Sequence, residues 1–296
     1  MIPVLGDSMA DWTIKKLLDW TASYFGDHQI DSPRLTAEIL LANTLDLRRL
    51  DLYLQHDRPL ESRELSEFKG LIKRRIGREP VAYITGEKGF YDDRFTVGKG
   101  VLIPRPDTEV LVETAMAVLK CPEWSGKKAR VIELGVGSGA IIVSLAKACP
   151  DHHYFGSDLS CPALLTATGN AAALTETPIS FFRGCWMDAV KPRAGFDMIL
   201  SNPPYIPRAD IETLAPEIKD HEPMLALDGG PDGLDAIGII LDQAGSRLNP
   251  GGQVILEMGF DQKPGVTALS KRFSWVAGLE FIKDLAGHNR LAVLKK

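Results

Sequence analysis

The 296-residue sequence predicts an α/β protein: a helical segment, then a β-hairpin, then a parallel sheet covered by helices on both faces. Three observations carry this. From Ala129 onward, strand-like and helix-like apolar runs alternate, the pattern of βαβ units in a parallel sheet. The first third shows helical spacing only. Between the two, glycines punctuate short β-type pieces.

The helical segment contains three stripes. Ile14, Leu17, Leu18, Ala22 and Phe25 share a face behind a Thr13 cap. Asp31-Ser32-Pro33 signals a second helix start, and Leu35, Ile39 and Ala42 then align. Leu65, Phe68, Ile72 and Ile76 form the third, with Lys69, Lys73, Arg74 and Arg75 as a solvated basic face. A helical domain is expected over 1–84, ending near Pro80. A β-hairpin linker follows over 85–104, built on Phe90-Tyr91 and Phe95-Thr96-Val97. A helix is predicted after Pro106.

The third domain, 105–296, carries the alternation. Val131 to Leu134 reads as a strand and Gly139 to Ala148 as a helix. Tyr154 to Asp158 is a second strand and Pro162 to Leu174 a second helix. Ile179 to Arg183 and Phe196 to Leu200 are further strands. Asp235 to Leu248 reads as helix, Asn249-Pro250-Gly251-Gly252 as a turn, and Gln253 to Glu257 as a fifth strand.

Composition narrows the function classes. With 34 basic and 39 acidic residues the formal net charge is −5, whereas proteins that grip nucleic acid through phosphates carry a basic surplus. Cys121, Cys149, Cys161 and Cys185 form no C-x-x-C pair and no metal-site spacing. Free thiols in a reducing compartment follow. Met1-Ile2-Pro3 begins no signal peptide, and no apolar run reaches the roughly 20 residues that span a bilayer. The expectation is a soluble cytoplasmic protein without stable nucleic-acid or membrane binding, monomeric by default.

Two motifs point to chemistry. The first, Glu133 to Ile141 (ELGVGSGAI), joins a strand to a helix through Gly135, Val136, Gly137, Ser138 and Gly139. Glycines let the backbone turn tightly and approach a ligand at a helix N-terminus. No lysine stands where a P-loop needs one. About one βαβ unit later a strand ends in Asp158, which can bind the ribose hydroxyls of a nucleoside or cap the helix beginning at Ser160-Cys161-Pro162.

The second motif is Asn202-Pro203-Pro204-Tyr205, at the end of a buried strand. It reads as a stiff turn or as a clamp for a planar NH₂ group. An amide nitrogen is a poor nucleophile because its lone pair is delocalised. Acceptors aimed at the NH₂ would orient it in line with an electrophilic methyl and stabilise the developing positive charge. The Asn202 side-chain oxygen and the Pro203 carbonyl are such acceptors, and the Tyr205 ring is a flat surface for the amide.

Asn-Pro-Pro-Tyr downstream of GVGSGA and SDLS resembles the amino-methyltransferases that use S-adenosyl-L-methionine. DSPRLTAEILLA (Asp31 to Ala42), LIPRPDTEVLVE (Leu102 to Glu113), HEPMLALDGGPDGLD (His221 to Asp235) and GHNRLAVL near the end together resemble the release-factor glutamine methyltransferase family, PrmC/HemK. The resemblance covers nearly the whole chain, in order. It implies a Rossmann-like, seven-stranded class I methyltransferase domain behind a small helical domain that recognises release factors.

It also implies methylation of the glutamine side-chain amide in the Gly-Gly-Gln motif of class 1 peptide chain release factors. Gly135 to Gly139 then match the cofactor loop, Asp158 the ribose-binding acid, Trp186 an aromatic beside the adenine, and Asn202 to Tyr205 the amide clamp. Trp186 could equally be core. Arg105, Thr108 and Glu109 are placed beside cofactor and substrate entrance, although they could simply cap a helix start. Met187 departs from the usual Leu or Phe, which bears on packing near the adenine. The loop from Ile206 to Glu222 is either a crossover or part of the partner surface.

The clamp would serve an adenine or guanine NH₂ equally well. A nucleic-acid methyltransferase would need a basic surface or a base-flipping module. A ribosomal-protein glutamine methyltransferase would share the chemistry. A non-enzymatic cofactor-binding protein would have no use for the intact clamp.

Overall fold

The structure, a computed structural model, describes residues 12–124 and 126–296. The reading of Met1 to Pro3 lies outside them. The chain divides into two compact units: residues up to Gly86 with Pro216–His221, and Glu87–Ala215 with Glu222–Lys296.

The first unit is helical: α1 (Ile14–Asp27), α2 (Pro33–Leu45), α3 (Arg49–Leu54), α4 (Ser62–Ile76) and α5 (Val81–Thr85). Thr13 caps α1, its side chain accepting from Lys16 N–H. Pro33 starts α2 at its first position. Leu17, Leu18, Leu40, Leu41, Phe68 and Ile72 meet in one apolar core. Periodicity did not reveal α3 and α5, because six and five residues hold too few turns to show a stripe.

In the second unit, β1 (Glu87–Phe90) and β2 (Asp93–Thr96) form an antiparallel hairpin. Next come α6 (Glu109–Leu119), β3 (Arg130–Leu134), α7 (Ala140–Ala148), β4 (His153–Asp158), α8 (Cys161–Leu174), β5 (Ile179–Arg183) and β6 (Phe196–Ser201). α9 (Pro216–Lys219) belongs with the first unit. α10 (Asp235–Ala244), β7 (Leu248–Glu257), α11 (Lys263–Ser270), β8 (Gly278–Lys283) and β9 (Asn289–Lys295) complete the chain. The sheet is seven-stranded, in the order β5-β4-β3-β6-β7-β9-β8. Only β9 runs antiparallel to its neighbours. α6 and α7 pack on one face and α10 on the other, each over an apolar layer.

The hairpin packs on the second unit: Phe90 and Phe95 insert into the core beside α6 and α7. Asn170 of α8 also bonds both backbone polar groups of Thr96, at 2.9 and 3.0 Å. Asn249 to Gly252 is not a turn between helix and strand. It lies within β7 as a bulge, with the pairing register shifting between Phe196 and Met198. The stretch 105–296 is interrupted, because Pro216–His221 folds with the helices.

Glu217 explains that interruption. Its Oε1 accepts from Arg75 Nη2 at 2.8 Å and Arg78 Nη1 at 3.4 Å, and the Arg75 side chain is only 5% exposed, so Arg75 does not belong to the solvated basic face expected of it. Burial raises the Glu217 carboxyl, but the two guanidiniums outweigh it and leave it below the ordinary range. The pair therefore contributes stability above the unfolded carboxylate pKa and loses it as pH falls through the depressed folded value. Glu217→Gln should cost the helical unit about 3 kcal/mol at neutral pH, because a buried guanidinium loses its counter-charge. In denaturant titrations followed by tryptophan fluorescence, the gap to the parent should close at acid pH.

Candidate active site

The sheet order places the first strand of the alternation, β3, beside β6. The chain leaves β3 toward β4 and β5, and leaves β6 toward β7. Such a reversal opens a crevice at the carboxyl ends of the strands. The glycine loop follows β3 there, and Asn202 follows β6.

The loop is shaped by three glycines at positive φ: Gly135 at 72°, Gly137 at 54° and Gly139 at 79°. A Cβ on Gly139 would lie 3.1 Å from Ala167 Cβ, so α7 and α8 leave no room for a side chain. Gly135 N–H and Val136 N–H both donate to Ser157 O, at 2.8 and 3.1 Å, which moors the loop to β4.

Asp158 joins the glycine loop to the turn after β4. Its Oδ2 accepts from Gly137 N–H at 2.9 Å and its Oδ1 from Ser160 N–H at 2.8 Å. It does not cap α8: Ser160 does, its Oγ accepting from Ala163 N–H at 3.3 Å. Each Asp158 oxygen keeps a second lone pair for a hydroxyl.

A cavity of about 1150 Å³, its open mouth included, is lined by Gly135, Val136, Gly137, Ser138, Asp158 and Trp186. Arg105, Thr108, Asn202 and Pro204 line it too. Gly139 does not; it serves as the N-cap of α7. Trp186 sits at φ 51°, a left-handed conformation costly for a non-glycine residue. Its carbonyl accepts from Ser157 Oγ at 3.1 Å, and its ring stands 3.7 Å from where a Gly135 Cβ would be. Met187, next to it, is fully buried in the opposite core layer and does not border the cavity.

The Asn-Pro-Pro-Tyr corner is held from several sides. Asn202 Nδ2 donates to Thr108 Oγ1 at 3.1 Å. Tyr205 OH donates to Glu257 Oε1 at 3.1 Å. Gln262 Nε2 donates to Tyr205 O at 2.9 Å, while Gln262 Oε1 accepts from Gly259 N–H at 2.9 Å. Ile206 pairs with Asp228 as an isolated parallel bridge. Among the described residues, Asn202 Oδ1 and Pro203 O accept no hydrogen bond from the protein. Pro203 is buried, and neither it nor Tyr205 lines the cavity.

Two flanking residues are held by partners of their own. Glu109 faces away from the cavity: its Oε1 accepts from Tyr91 N–H at 3.0 Å and secures the hairpin turn, where Tyr91 has φ 53°. Arg105 lines the cavity but is paired with Glu222, which also accepts from Ile103 N–H at 3.1 Å.

Three buried acids of the second unit escaped the sequence reading: Glu133, Glu222 and Glu257, at 1%, 6% and 1% exposure. Glu133 borders the cavity, and its Oε2 accepts from Ile142 N–H at 2.9 Å in the first turn of α7. Burial pushes its carboxyl well above the ordinary range, against the pull of that N–H, and the charge of Asp158 adds to the rise. Glu257 is raised as well, by burial first. The available signal was an acid inside an apolar strand run, Val131-Ile132-Glu133 and Ile255-Leu256-Glu257, since charged residues are rarely fully buried without a partner.

Residues 16–86 match the family described as the PrmC N-terminal domain, and residues 107–220 the methyltransferase small domain. A release factor glutamine methyltransferase of Geobacter sulfurreducens is 42% identical over 261 residues, covering 88% of this chain and 89% of its own. The enzyme of that description from Rhodopirellula baltica is 36% identical over 96% of this chain and 97% of its own. That from Bradyrhizobium diazoefficiens is 38% identical over 100% and 99%. A solved protein-(glutamine-N5) methyltransferase of Alicyclobacillus acidocaldarius is 31% identical, covers 68% of this chain and 99% of its own, and gives a TM-score of 0.40.

The Asn-Pro-Pro-Tyr corner leaves no space behind it. A Cβ on Gly233, at φ 75°, would fall 2.3 Å from Tyr205 O and 2.4 Å from Gln262 Nε2. Gly233→Ala should therefore lose about 2 kcal/mol or more in thermal unfolding. Gly98→Ala, where no atom lies within 4 Å of the added Cβ, should stay within about 1 kcal/mol of the parent.

Proposed function

We infer the reaction from kinship and geometry together: the chain belongs to the release factor glutamine methyltransferases. It methylates the side-chain amide nitrogen (N5) of the glutamine in the Gly-Gly-Gln motif of class 1 peptide chain release factors. S-adenosyl-L-methionine is the cofactor, and when bound it supplies a methyl on a positively charged sulfur, already a strong electrophile.

The residues suit that cofactor. Gly135 and Gly137, both at positive φ, bring the bare loop backbone to the cavity, and the Asp158 oxygens retain lone pairs for two ribose hydroxyls. We assign Gly135 to Gly139 and Asp158 to cofactor binding, and Trp186 to one face of the adenine.

The single observation that carries the catalytic reading is the state of Asn202. Its Nδ2 is engaged by Thr108, so Oδ1 is the end left to accept. With the Pro203 carbonyl it offers two acceptors to one NH₂ group, on a backbone that two prolines stiffen. Acceptors so placed orient the glutamine nitrogen and stabilise the positive charge that develops on it, and need no reorganisation during the reaction. The nitrogen becomes acidic once alkylated, so no strong base is required at the moment of attack. The Tyr205 ring, anchored at its hydroxyl, does not line the cavity and supports the corner from behind.

We assign release-factor recognition to the helical unit. Leu50, Tyr53 and Leu54 of α3 are 62%, 52% and 71% exposed, an apolar face such as protein partners cover. Among the described residues no helix is long and apolar enough to cross a membrane, and we place the enzyme in the cytoplasm with its substrate.

Labelled cofactor offered with a release factor, its Gln→Ala form, DNA or ribosomal RNA should mark the intact release factor alone. Label on the RNA would favour the nucleic-acid reading instead. Asn202→Ala should lower kcat about 10²–10³-fold, the usual effect of losing one transition-state hydrogen bond, while calorimetry shows cofactor affinity little changed. Asp158→Ala should do the reverse, weakening cofactor binding first.

A further inference from the structure

Phe260 and Leu285 are among the most exposed large apolar side chains of the second unit, Phe260 at 59% and Leu285 fully. A lone exposed apolar residue is ordinary on a protein surface. These two differ in how they are held and in where they stand.

Leu285 tips the turn between β8 and β9. Asp284 N–H donates to His288 O at 2.9 Å, and Gly287 N–H donates to Asp284 O at 3.0 Å. Asp284 Oδ1 accepts from His288 N–H at 3.0 Å, and its Oδ2 accepts from Arg290 Nη2 at 3.0 Å. The same Arg290 Nη2 bonds Asp107 Oδ2 at 2.9 Å, next to Thr108 of the cavity wall. The turn is therefore ordered before anything binds, and burying a side chain that is already positioned loses little conformational freedom. Phe260 lies where β7 turns toward α11, its ring centroid 5.7 Å from that of His288. Its neighbour Gly259 donates its N–H to Gln262 Oε1, and Gln262 Nε2 donates to Tyr205 O. Phe260 and the turn that presents Leu285 are thus both tied to residues that frame the candidate site.

The sheet places them at its mouth. β9 runs antiparallel to both β7 and β8, so β7 and β8 share the direction of β6. The turns that follow them open at the edge where Asn202 stands. The glycine loop and Asp158 follow β3 and β4, on the other side of β6 in the sheet order. With the cofactor over that half, a protein substrate has the half from β7 to β8 left to cover.

We propose that Phe260 and Leu285 form a docking surface for the folded release-factor domain that carries the Gly-Gly-Gln loop. This docking role rests on the reaction inferred above. Glycines have no side chain to recognise, and the glutamine amide is taken up by the clamp. The tripeptide alone therefore distinguishes a release factor poorly from other glutamine-bearing chains. A glutamine side chain is short, so its backbone must come down to the mouth and bring neighbouring residues over this edge. An aromatic and an aliphatic group, both presented rigidly there, suit apolar side chains of a folded domain, as in the core of a protein–protein contact.

Steady-state kinetics with an intact release factor, and with a linear peptide that carries Gly-Gly-Gln alone, test this. Phe260→Ala and Leu285→Ala should each raise KM for the release factor about tenfold, with kcat at saturation and cofactor affinity unchanged. Phe260→Tyr and Leu285→Met, which keep an apolar body, should hold the parental KM, as should Leu165→Ala on the exposed face of α8. The peptide does not extend over this surface, so its kcat/KM should be the same for the parent and both alanine variants. Parental KM for both alanine variants overturns the docking role. An equal loss with the peptide overturns it too, because the two residues would then serve the site itself. Sedimentation tests the other occupant: a dimer of the parent that either alanine variant dissociates gives the surface to a second copy of this chain, against the release factor. If the parent labels no release factor at all, the reaction fails instead, and the two failures are distinguishable.

Discussion

The site depends on one topological constraint: β3 and β6 are neighbours, yet the chain leaves them in opposite directions. Parallel strands end with their carbonyls at one edge, and at this reversal no crossover covers that edge. The glycine loop and the Asn-Pro-Pro-Tyr corner thereby come to face one crevice, although more than sixty residues separate them in sequence. Ser201 at the end of β6 ties the two directly, its Oγ donating to Leu134 O at 2.6 Å. Cofactor cradle and amide clamp are built on adjacent strands of one rigid sheet, and reacting groups must be held together with that degree of order.

Around this edge the protein spends buried acids rather than exposed ones. Glu133 secures α7 to β3 beneath the glycine loop, and Glu257 secures Tyr205 beneath the clamp. Glu222 holds Ile103 and Arg105 at the cavity wall. An acid buried in apolar surroundings is costly unless its oxygens find donors. Glu133 and Glu222 find donors in backbone N–H groups and in Arg105, and Glu257 finds one in Tyr205 OH, so moving any one of those partners strands a carboxylate. That coupling makes the surroundings of the site stiff, as an amide clamp requires.

The Asp228 to Asp235 segment supplies the remaining support. It passes so close behind Pro204 and Tyr205 that Gly229 and Gly233 could carry no side chain without displacing that backbone. Gln262 bonds Tyr205 O, Gly233 O and Gly259 N–H together. The prolines limit the corner from within, and this packing limits it from without. The helical unit meanwhile holds Pro216–His221 through Arg75, Arg78 and Glu217, so the segment that continues the clamp loop ends in the unit assigned to the partner.

Much of this was written in the order of residues. Periodicity, caps and breakers located α1, α2 and α4, the hairpin, and the alternation from β3 to β6, because each signal lies within one element's length. The glycine loop, Asp158 and Asn202 to Tyr205 were legible for the same reason: each pairs a strand end with a distinctive neighbour. What contiguous residues could not disclose was who meets whom. The fate of Glu109, turned to the Tyr91 N–H and away from the cavity, depends on a hairpin folded against α6. The choice of Ser160 over Asp158 as the cap of α8, the reach of Thr108 to Asn202, and the burial of Glu257 beneath Tyr205 are likewise set by packing. Hydrogen bonds between residues 52 and 94 positions apart leave no periodic trace, and only the assembled sheet brings their partners within reach.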